Sequence, residues 1–374
     1  MISTKKLHIV SFDVPFPANY GGVIDVFYKL IELHKIGVEI HFHTFEYGRG
    51  KQKELEKYCK KVYYYHRNSF IKSFFSKDPF IVKSRENRHL ISNLTADNSP
   101  ILFEGLHTTS PIFLKAIKNQ KTFVRAHNIE HLFYKGLSES ESSVFKKTFF
   151  KQESKKLIKY ESILKKVDGI FTISPFEHAY FLEKYGEKAT YIPAFHEVTK
   201  NFIHTDNSKK TVLFHGNILV PENIRAILFL ISIYKNSIYN LVIASSHQNK
   251  NINTEIDKHK NIQFVNLKSQ DDLKQLFRTA HINVLPTFQK TGIKLKLLNA
   301  LYQGKFIIAN NNMVEDTGLE ELTEIANSKE EFLQKTAILF DKKFNQEIVN
   351  KRLEKLKSFD PQKSAQKIVD IIFN

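Results

Sequence analysis

The sequence predicts an α/β protein with two doubly wound domains, and three observations support this prediction. The chain has 374 residues, more than a single hydrophobic core usually serves. Candidate strands alternate with candidate helices throughout, as in parallel sheets with crossover helices. A polar stretch ending at 206–210 separates two such series. We therefore predict one domain over 1–200 and a second over 201–360.

The first half opens with a strand, a loop and a helix. An apolar strand is predicted over 7–12 and a loop with Pro and Gly over 13–22. Apolar residues then recur on a helical period from Val23 to Leu33, and Gly37 closes the helix. Further strands of this half are predicted over 38–44, 62–65, 101–103, 122–125 and 169–174.

The second half repeats this organisation. Its strands are predicted over 211–215, 240–245, 262–266, 281–286 and 305–310, and its helices include 271–280 and 292–302. A last helix runs from Pro361 to Phe373. Because ligands of doubly wound sheets bind beyond the carboxyl ends of the strands, we expect the chemistry in a cleft between the domains.

The composition is that of a globular protein with an excess of positive charge. The chain has 56 Lys and Arg against 39 Asp and Glu, a net charge of +17. Such an excess attracts nucleic acids, acidic lipids or phosphorylated small molecules, and an AT-rich genome would produce it equally well. The basic residues are dispersed and no nucleic-acid-binding module is recognisable, so we expect no nucleic-acid partner.

The cysteine content and the apolar segments bear on the compartment of the protein. The single cysteine, Cys59, excludes an intramolecular disulfide and a CxxC zinc site. The N-terminal apolar stretch is interrupted by Asp13 and is too short for a signal peptide. The most apolar window, Ala226–Tyr234, is about half of the roughly 20 residues that a bilayer-spanning helix needs. We expect a soluble, cytoplasmic protein.

Two groups of residues in the first half are candidates for binding. Gly21 and Gly22 stand at a helix start, where N–H groups and the helix dipole favour a phosphate, although an ordinary tight turn explains them equally well. His127 follows a strand and could contact a sugar hydroxyl or shuttle a proton; the alternative is a buried structural histidine. His127 and His131 have the spacing of a zinc helix, but Asn128 replaces its glutamate, so no metal is expected.

The second half has a turn that suits a ligand. After the strand 211–215, Gly216 permits close approach to the backbone, and Asn217 and Asn223 follow it. The turn alone is not diagnostic.

The segment from Thr291 to Gly304 is more informative. Gly292 and Ile293 begin its helix, and Lys294 and Lys296 lie in the first turn. Lysines at this end of a helix are unfavourable unless an anion such as a pyrophosphate offsets them. The alternative is that both lysines are solvated surface residues.

As a set, these segments resemble the retaining GT-B glycosyltransferases of glycosyltransferase family four, the group 1 glycosyl transferases. In the first half the similar segments are IVSFDVPFPANYGGVIDVFYKLIELHKIGVEIHFHTF, RAHNIEH and VDGIFTISPFEHAYF. In the second half they are FHGNILVPENIRAI and NIQFVNLKSQDDLKQLFRTAHINVLPTFQKTGIKLKLLNALYQGKFIIANN. The resemblance covers most of the chain. It implies two Rossmann-like domains facing across a cleft, with the C-terminal helix 361–374 returning to the first domain.

The resemblance also implies an activity and a role for each candidate residue. The activity is transfer of a sugar, with retention and without a metal or cofactor, from a nucleotide-diphosphate sugar to a glycan or lipid-linked acceptor in polysaccharide or glycoconjugate synthesis. His127 would contact the transferred sugar, and Lys294 or Lys296 would neutralise the leaving diphosphate. Donor contacts would come from Gly216, Asn217, Asn223, Thr291, Gly292, Ile293 and Asn299, and phosphate or acceptor contacts from Gly21 and Gly22.

The sequence departs from the family pattern at two places. The family's two glutamates fall on Thr291 and Asn299, which keep hydrogen-bonding groups but carry no charge. The Arg and Lys that commonly follow the Gly216-type turn are absent, with Asn217 and Asn223 at about those places. A non-catalytic nucleotide-sugar-binding protein is therefore one alternative. A sugar-nucleotide epimerase of the same architecture is another, although it needs acid–base carboxylates in the cleft and the sequence indicates none.

Residues 141–166 form a basic amphipathic segment. It contains eight Lys and three Glu, interleaved with Phe, Leu and Ile. Such a helix can rest on the anionic inner face of a membrane, which would suit a lipid-linked acceptor. An ordinary solvated helix packed on the first domain is the alternative.

Overall fold

The structure is a computed structural model that describes residues 5–69, 73–74, 76–141, 143–198, 210–289 and 295–374. The described residues fall into two compact units. The first comprises residues of Met1–His196 and Phe359–Asn374, and the second comprises residues of Glu197–Lys290 and Lys294–Ser358. Most of the predicted linker, 199–209, lies outside the described residues.

The first unit contains a parallel sheet of seven strands. They are β1 (Lys6–Ser11), β2 (Glu39–Glu46), β3 (Lys61–His66), β4 (Ile101–Glu104), β5 (Thr122–Ala126), β6 (Gly169–Thr172) and β7 (Ala189–Tyr191). Their order in the sheet is β3, β2, β1, β4, β5, β6, β7. Because β1 is followed outward by β2 on one side and β4 on the other, the chain reverses direction across the sheet at β1, where doubly wound folds bind ligands.

Helices accompany these strands along the chain. They are α1 (Gly21–Lys35), α2 (Phe80–Lys83), α3 (Arg88–Leu94), α4 (Ser110–Phe113), α5 (Glu130–Ser140), α6 (Val144–Tyr160) and α7 (Pro175–Tyr185). The apolar period of α1 buries Val23, Val26 and Leu30 completely. Burying this stripe against the sheet is what stabilises the helix, since helical stability in proteins comes mostly from packing of an apolar face.

The second unit contains a parallel sheet of six strands. They are β8 (Thr211–His215), β9 (Asn240–Ser245), β10 (Ile262–Asn266), β11 (Ile282–Leu285), β12 (Phe306–Ala309) and β13 (Glu324–Ile325). Their order is β10, β9, β8, β11, β12, β13, so β8 occupies the reversal point here.

The helices of the second unit follow the same scheme. They are α8 (Pro221–Tyr234), α9 (Lys250–Ile256), α10 (Gln270–Thr279), α11 (Leu295–Gln303), α12 (Asn311–Val314), α13 (Lys329–Asp341) and α14 (Gln346–Leu356). Ser269 begins α10 with a capping box in which its hydroxyl accepts from the Asp272 N–H and the Asp272 carboxylate accepts from the Ser269 N–H. Ser328 and Glu331 cap α13 in the same way.

The last helix, α15 (Pro361–Phe373), packs in the first unit. Its buried residues Ala365, Ile368, Val369 and Ile372 share one hydrophobic cluster with apolar residues of α1. The C-terminal helix therefore packs in the same hydrophobic core as α1, the first crossover helix of the chain.

The predicted fold class, two doubly wound parallel sheets, is confirmed. The strands predicted over 211–215, 240–245 and 262–266 agree with the structure residue for residue. Two strands were not predicted, β7 and β13, because three and two residues are too few for a periodic signal. The helix predicted over 292–302 is described from Leu295, and its first residues, with Lys290 and Thr291, lie outside the described residues.

Candidate functional site

In the first unit, three aromatic and histidine side chains meet at the carboxyl edge of the sheet. Phe12 follows β1, His107 follows β4 and His127 follows β5, which are neighbouring strands. The Phe12 ring lies 5.2 Å from the His107 ring and 5.5 Å from the His127 ring, between ring centroids. The predicted residue His127 therefore lies at the edge where ligands of such sheets bind.

His127 is one end of a buried network of charged side chains. Its Nε2 lies 2.8 Å from Glu104 Oε2, and Lys29 Nζ lies 2.8 Å from Glu104 Oε1. The same ammonium donates to Asp25 Oδ2 at 3.0 Å, and the Arg125 guanidinium donates to both oxygens of Asp25 at 3.1 and 2.8 Å. All five side chains are buried, four of them completely. The position of His127 is therefore fixed by interactions that reach across the sheet to α1.

The charges of this network compensate one another. Burial acts to raise the pKa of Asp25, but Arg125 and Lys29 outweigh it and hold the pKa well below its ordinary range. Burial is likewise outweighed at Glu104, whose pKa is lowered by Lys29 and His127. Both carboxyl groups are therefore ionised at neutral pH, and each faces a cation.

The same cluster has the ligand types of a metal site. Three side chains, Asp25, Glu104 and His127, each offer one ligand atom, and these three atoms lie within 4.8 Å of one another. However, the Lys29 ammonium already bridges the two carboxylates, so a divalent cation would have to displace a buried cation from both. We therefore interpret the cluster as an ion-pair network and assign no metal to it.

A second titratable pair lies beside His127. Glu130, at the start of α5, is 2% exposed, and burial raises its pKa to about 8. Its Oε1 lies 3.8 Å from His107 Nδ1, and burial lowers the pKa of His107 well below its ordinary value. At neutral pH this pair is therefore uncharged, in contrast to the network that holds His127.

The glycine pair at the start of α1 lies close to the same edge. A Cβ added to Gly22 would lie 2.6 Å from Phe12 Cζ, whereas a Cβ on Gly21 would have nothing within 4 Å. Gly22 is thus required by the packing of Phe12, and Gly21 faces open space. The ligand contacts predicted for both glycines stay predictions.

In the second unit, four predicted residues come together beyond the end of β8. A Cβ added to Gly216 would lie 2.7 Å from Lys296 Nζ and 3.2 Å from Asn223 Cγ. Lys296 Nζ donates to Asn223 Oδ1, and Asn223 Nδ2 donates to the Asn217 carbonyl at 2.7 Å. Any larger residue at 216 would force this ammonium to move.

The surroundings of Lys296 are apolar on one side. Its Nζ lies 4.9 Å from the centroid of the Phe214 ring. The neighbouring His215 is buried, and burial together with Lys296 lowers its pKa to about 3. His215 is therefore neutral at physiological pH and adds no charge beside the lysine.

Asn299 lies three residues after Lys296 in α11, on the same face of the helix. Four further predicted residues, Thr291, Gly292, Ile293 and Lys294, lie outside the described residues.

The chain at Thr287 and Phe288, shortly before these residues, is anchored by Glu222, which was not among the predicted site residues. Glu222, at the start of α8, accepts hydrogen bonds from Thr287 Oγ1 at 2.9 Å and from the Phe288 N–H. The Arg225 guanidinium stacks on the Phe288 ring at 4.0 Å. These contacts fix the chain after β11 against the start of α8.

Sequence reasoning missed Asp25, Lys29 and Glu104, although each left a signal. Asp25 and Lys29 are spaced i, i+4 and are interleaved with the buried apolar positions of α1, which is unusual for a solvated pair. Glu104 ends an otherwise apolar strand. Charged residues at such positions are buried only when they are paired, so a partner could have been sought.

Comparison with solved structures defines the fold of the chain. TarM has a TM-score of 0.69 at 11% identity, with 100% of this chain and 99% of TarM covered. Anabaena HepE in complex with UDP and glucose has a TM-score of 0.67 at 12% identity, with 98% of each chain covered. A glycosyltransferase of Rickettsia africae has a TM-score of 0.64 at 16% identity, also over 98% of each chain. The chain therefore has the GT-B fold.

Sequence comparison adds a family and a relative. Residues 209–342 match the family described as Glycosyl transferases group 1. The chain is 26% identical over 353 residues to an uncharacterized 44.6 kDa protein in the cps region of Klebsiella pneumoniae, which covers 88% of each chain. The family match and the structural neighbours together support a glycosyltransferase as the class of enzyme. Among the described helices, none combines the length and the apolar character needed to cross a membrane.

Proposed function

We propose that the protein transfers a sugar, with retention of the anomeric configuration, from a nucleotide-diphosphate sugar to a glycan or lipid-linked acceptor. The observation that carries the proposal is the placement of Lys296 against Gly216, where Asn223 holds its ammonium. This arrangement falls within the segment that matches the glycosyl transferase family. An ammonium fixed beyond the end of β8 is well suited to bind a diphosphate.

The proposed reaction places negative charge where Lys296 can stabilise it. As the nucleoside diphosphate departs, charge develops on its β-phosphate and the sugar becomes oxocarbenium-like. An ammonium that is already positioned lowers the barrier because it needs no reorganisation during the reaction. Lys294 is assigned the same role on the strength of the family resemblance.

We assign His127 to a hydroxyl of the transferred sugar. Glu104 engages Nε2, and Nδ1 has no hydrogen-bond partner among the described residues. Nδ1 is therefore the ring atom that can take a new partner. We expect His127→Ala to retain nucleotide binding and to lose most of the transfer activity, and unchanged turnover would remove His127 from the site.

The donor proposal is tested by thermal-shift titration with UDP-, GDP- and ADP-sugars. We expect at least one of them to raise the unfolding temperature, and Lys296→Ala to weaken its binding about tenfold or more, as for loss of a charge-assisted contact. Lys250→Ala is the control, because Lys250 is exposed at the start of α9 in the same unit. The proposal fails if no sugar nucleotide binds, or if the two variants bind it equally well.

Product analysis separates the proposed transfer from the two alternatives. Retention predicts that the anomeric configuration of the donor persists in the glycoside, which NMR coupling constants report. Release of an epimerised sugar nucleotide would indicate the epimerase. Nucleotide-sugar binding without turnover of any acceptor tested would indicate a non-catalytic protein, consistent with the absence of the glutamate pair at Thr291 and Asn299.

We further propose a role in surface polysaccharide synthesis in the cytoplasm, at the inner face of the membrane. The relative in a cps region supports the pathway. Helix α6 supports the location, since Val144, Phe145 and Ile158 are exposed on it together with several lysines. Sedimentation with anionic vesicles at low salt should carry the protein down. Phe145→Ser should reduce that binding, and an unbound wild-type protein would contradict the proposal.

A further inference from the structure

Two arginines without carboxylate partners lie near the carboxyl edge of the first unit's sheet. Arg85 is 6% exposed, and its Nε and Nη1 donate to the carbonyls of Phe12 at 2.9 Å and Ile81 at 2.7 Å. Arg67 follows β3, and its Nη2 donates to Ser84 Oγ at 3.2 Å. Neither guanidinium has a carboxylate within 4.0 Å among the described residues. Arg67 and Arg85 are thus buried or half-buried cations that lie close enough to repel each other, and neither forms an ion pair in the described part of the chain.

The carboxyl group that acts electrostatically on both guanidiniums, that of Asp13, has hydrogen-bond partners of its own. Asp13 accepts hydrogen bonds from the Val14 N–H at 2.9 Å and from the Tyr20 hydroxyl at 2.8 Å. Its charge acts to raise the pKa of both guanidiniums, but burial acts more strongly in the opposite direction and lowers the pKa of each. Burial, together with the neighbouring charge of Arg67, lowers the pKa of Arg85 to about 9. The environment therefore disfavours both cations, and a bound anion would relieve that cost.

Several hydrogen-bond donors of this cluster are unused. Arg85 Nη2, together with Arg67 Nε and Nη1, has no acceptor among the residues that the structure describes. Tyr134, on α5, interacts electrostatically with both guanidiniums, and its hydroxyl likewise has no partner in the described part of the chain. The Arg67 guanidinium is held in place by the Tyr47 ring, 4.5 Å from its centroid. Positioned cations with spare donors are the usual means of binding an oxyanion.

The cluster is adjacent to the residues that we assign to sugar transfer. Arg85 holds the carbonyl of Phe12, and the Phe12 ring contacts His127. We propose that Arg67, Arg85 and Tyr134 bind an oxyanion, a phosphate or a carboxylate, that is carried by the acceptor. The link to an acceptor rests on the proposed function, whereas the anion site itself rests only on the contacts described above. The acceptor class is thereby narrowed to phosphorylated or uronic-acid-containing molecules.

Direct titration with inorganic phosphate tests the site. The donor lysine must be removed first, so we use the Lys296→Ala protein and compare the added substitutions Arg67→Gln and Arg88→Gln. Arg88 is exposed on α3 and provides the same charge change close to the cluster. We expect Arg67→Gln to weaken phosphate binding about tenfold or more and Arg88→Gln to leave it unchanged. Tyr134→Phe, which removes a single hydroxyl, should weaken binding to a smaller extent.

Glucuronate is titrated in parallel. If the Arg67 and Arg88 variants bind phosphate equally well, and also bind glucuronate equally well, the proposal is overturned. Binding of phosphate alone identifies a phosphorylated acceptor, and binding of glucuronate alone identifies a uronic acid. The separate Arg67→Gln protein, with Lys296 intact, should bind the sugar nucleotide like the wild type. Loss of anion binding with intact donor binding is therefore distinguishable from failure of the proposed function, in which no sugar nucleotide binds at all.

Discussion

The two units hold their candidate functional residues in different ways. In the first, His127 ends a network in which Asp25 and Glu104 face Lys29 and Arg125, all within the core. In the second, the half-buried Lys296 is held by the carboxamide of Asn223. Ion pairs cancel their charges internally, whereas a carboxamide is uncharged and orients an ammonium through a hydrogen bond.

This difference separates stability from binding. In the first unit, the residues that position His127 also satisfy buried charges, so substitutions there act first on folding. In the second, the ammonium is positioned at the end of a flexible side chain, so substitutions there act first on ligand affinity. Substitutions in the two units test this separation, and the largest effect is expected in the first.

Replacement of Lys29 should cost the most stability. Lys29→Met leaves Asp25 and Glu104 without the cation that bridges them, and breaking a buried ion pair typically costs about 3–5 kcal/mol. Urea unfolding measures the loss. Lys35→Met is the matched control, since Lys35 is on the same helix and is 59% exposed. Among the described residues its ion-pair partner is Glu32, and a pair with such an exposed lysine is worth roughly 0–1 kcal/mol. Similar costs for both variants would show that the network is not held by Lys29.

The course of the backbone was largely predictable, because apolar runs and turn residues are local signals. The order of the seven strands was not predicted, although parallel strands with crossovers admit few topologies. The buried network was different. Asp25 and Glu104 are 79 positions apart in the sequence. The pairing of β1 with β4 is what brings α1, which follows β1, close to the end of β4. A local pattern carries no information about such a pairing.

The second site shows the same limit. Gly216, Asn223 and Lys296 were each singled out from the sequence, but their mutual contacts were not. The lysine was expected to meet a phosphate directly, and the structure adds that Asn223 accepts a hydrogen bond from it. This positioning contact depends on tertiary structure, because Asn223 and Lys296 are 73 positions apart in the sequence.

Glu130 provides a pH-dependent test of the first unit. Its pKa rises from an ordinary value of 4.5 to about 8 on folding, so the folded protein retains a proton that the unfolded chain releases between these values. The contribution to stability is therefore complete below about pH 4.5 and is lost as the pH rises towards 8. Glu130→Gln should gain a few kcal/mol over the wild type at pH 8 relative to pH 5, measured by thermal unfolding.

The control for this measurement is Glu139→Gln, an exposed position on the same helix. Its stability relative to the wild type should not change between the two pH values. A flat difference for Glu130→Gln as well would show that Glu130 is ionised in the folded protein.

The second unit should respond to Gly216→Ala in binding rather than in stability. The added Cβ meets Lys296 Nζ at 2.7 Å, and the end of a lysine side chain can move away at little cost. We expect an unfolding temperature close to that of the wild type and sugar-nucleotide binding about tenfold weaker, because the ammonium is displaced. In the Lys296→Ala background the same substitution should have no further effect on affinity. Additive losses would show that Gly216 acts on the ligand independently of Lys296.

The smallest effects are expected at the glycine pair of α1, and they distinguish packing from ligand contact. Gly22→Ala places a Cβ 2.6 Å from Phe12 Cζ and should lower turnover a few-fold by displacing the ring that contacts His127. Added Phe12→Leu should restore part of that loss by making space. Gly21→Ala places a Cβ with no neighbour within 4 Å, and because Gly21 is the first residue of α1 the substitution should change the free energy of unfolding by less than about 0.5 kcal/mol. If Gly21→Ala lowers turnover and added Phe12→Leu does not restore it, the ligand lies at Gly21, because this residue has no packing partner that could explain the loss. Wild-type turnover would remove Gly21 from the site.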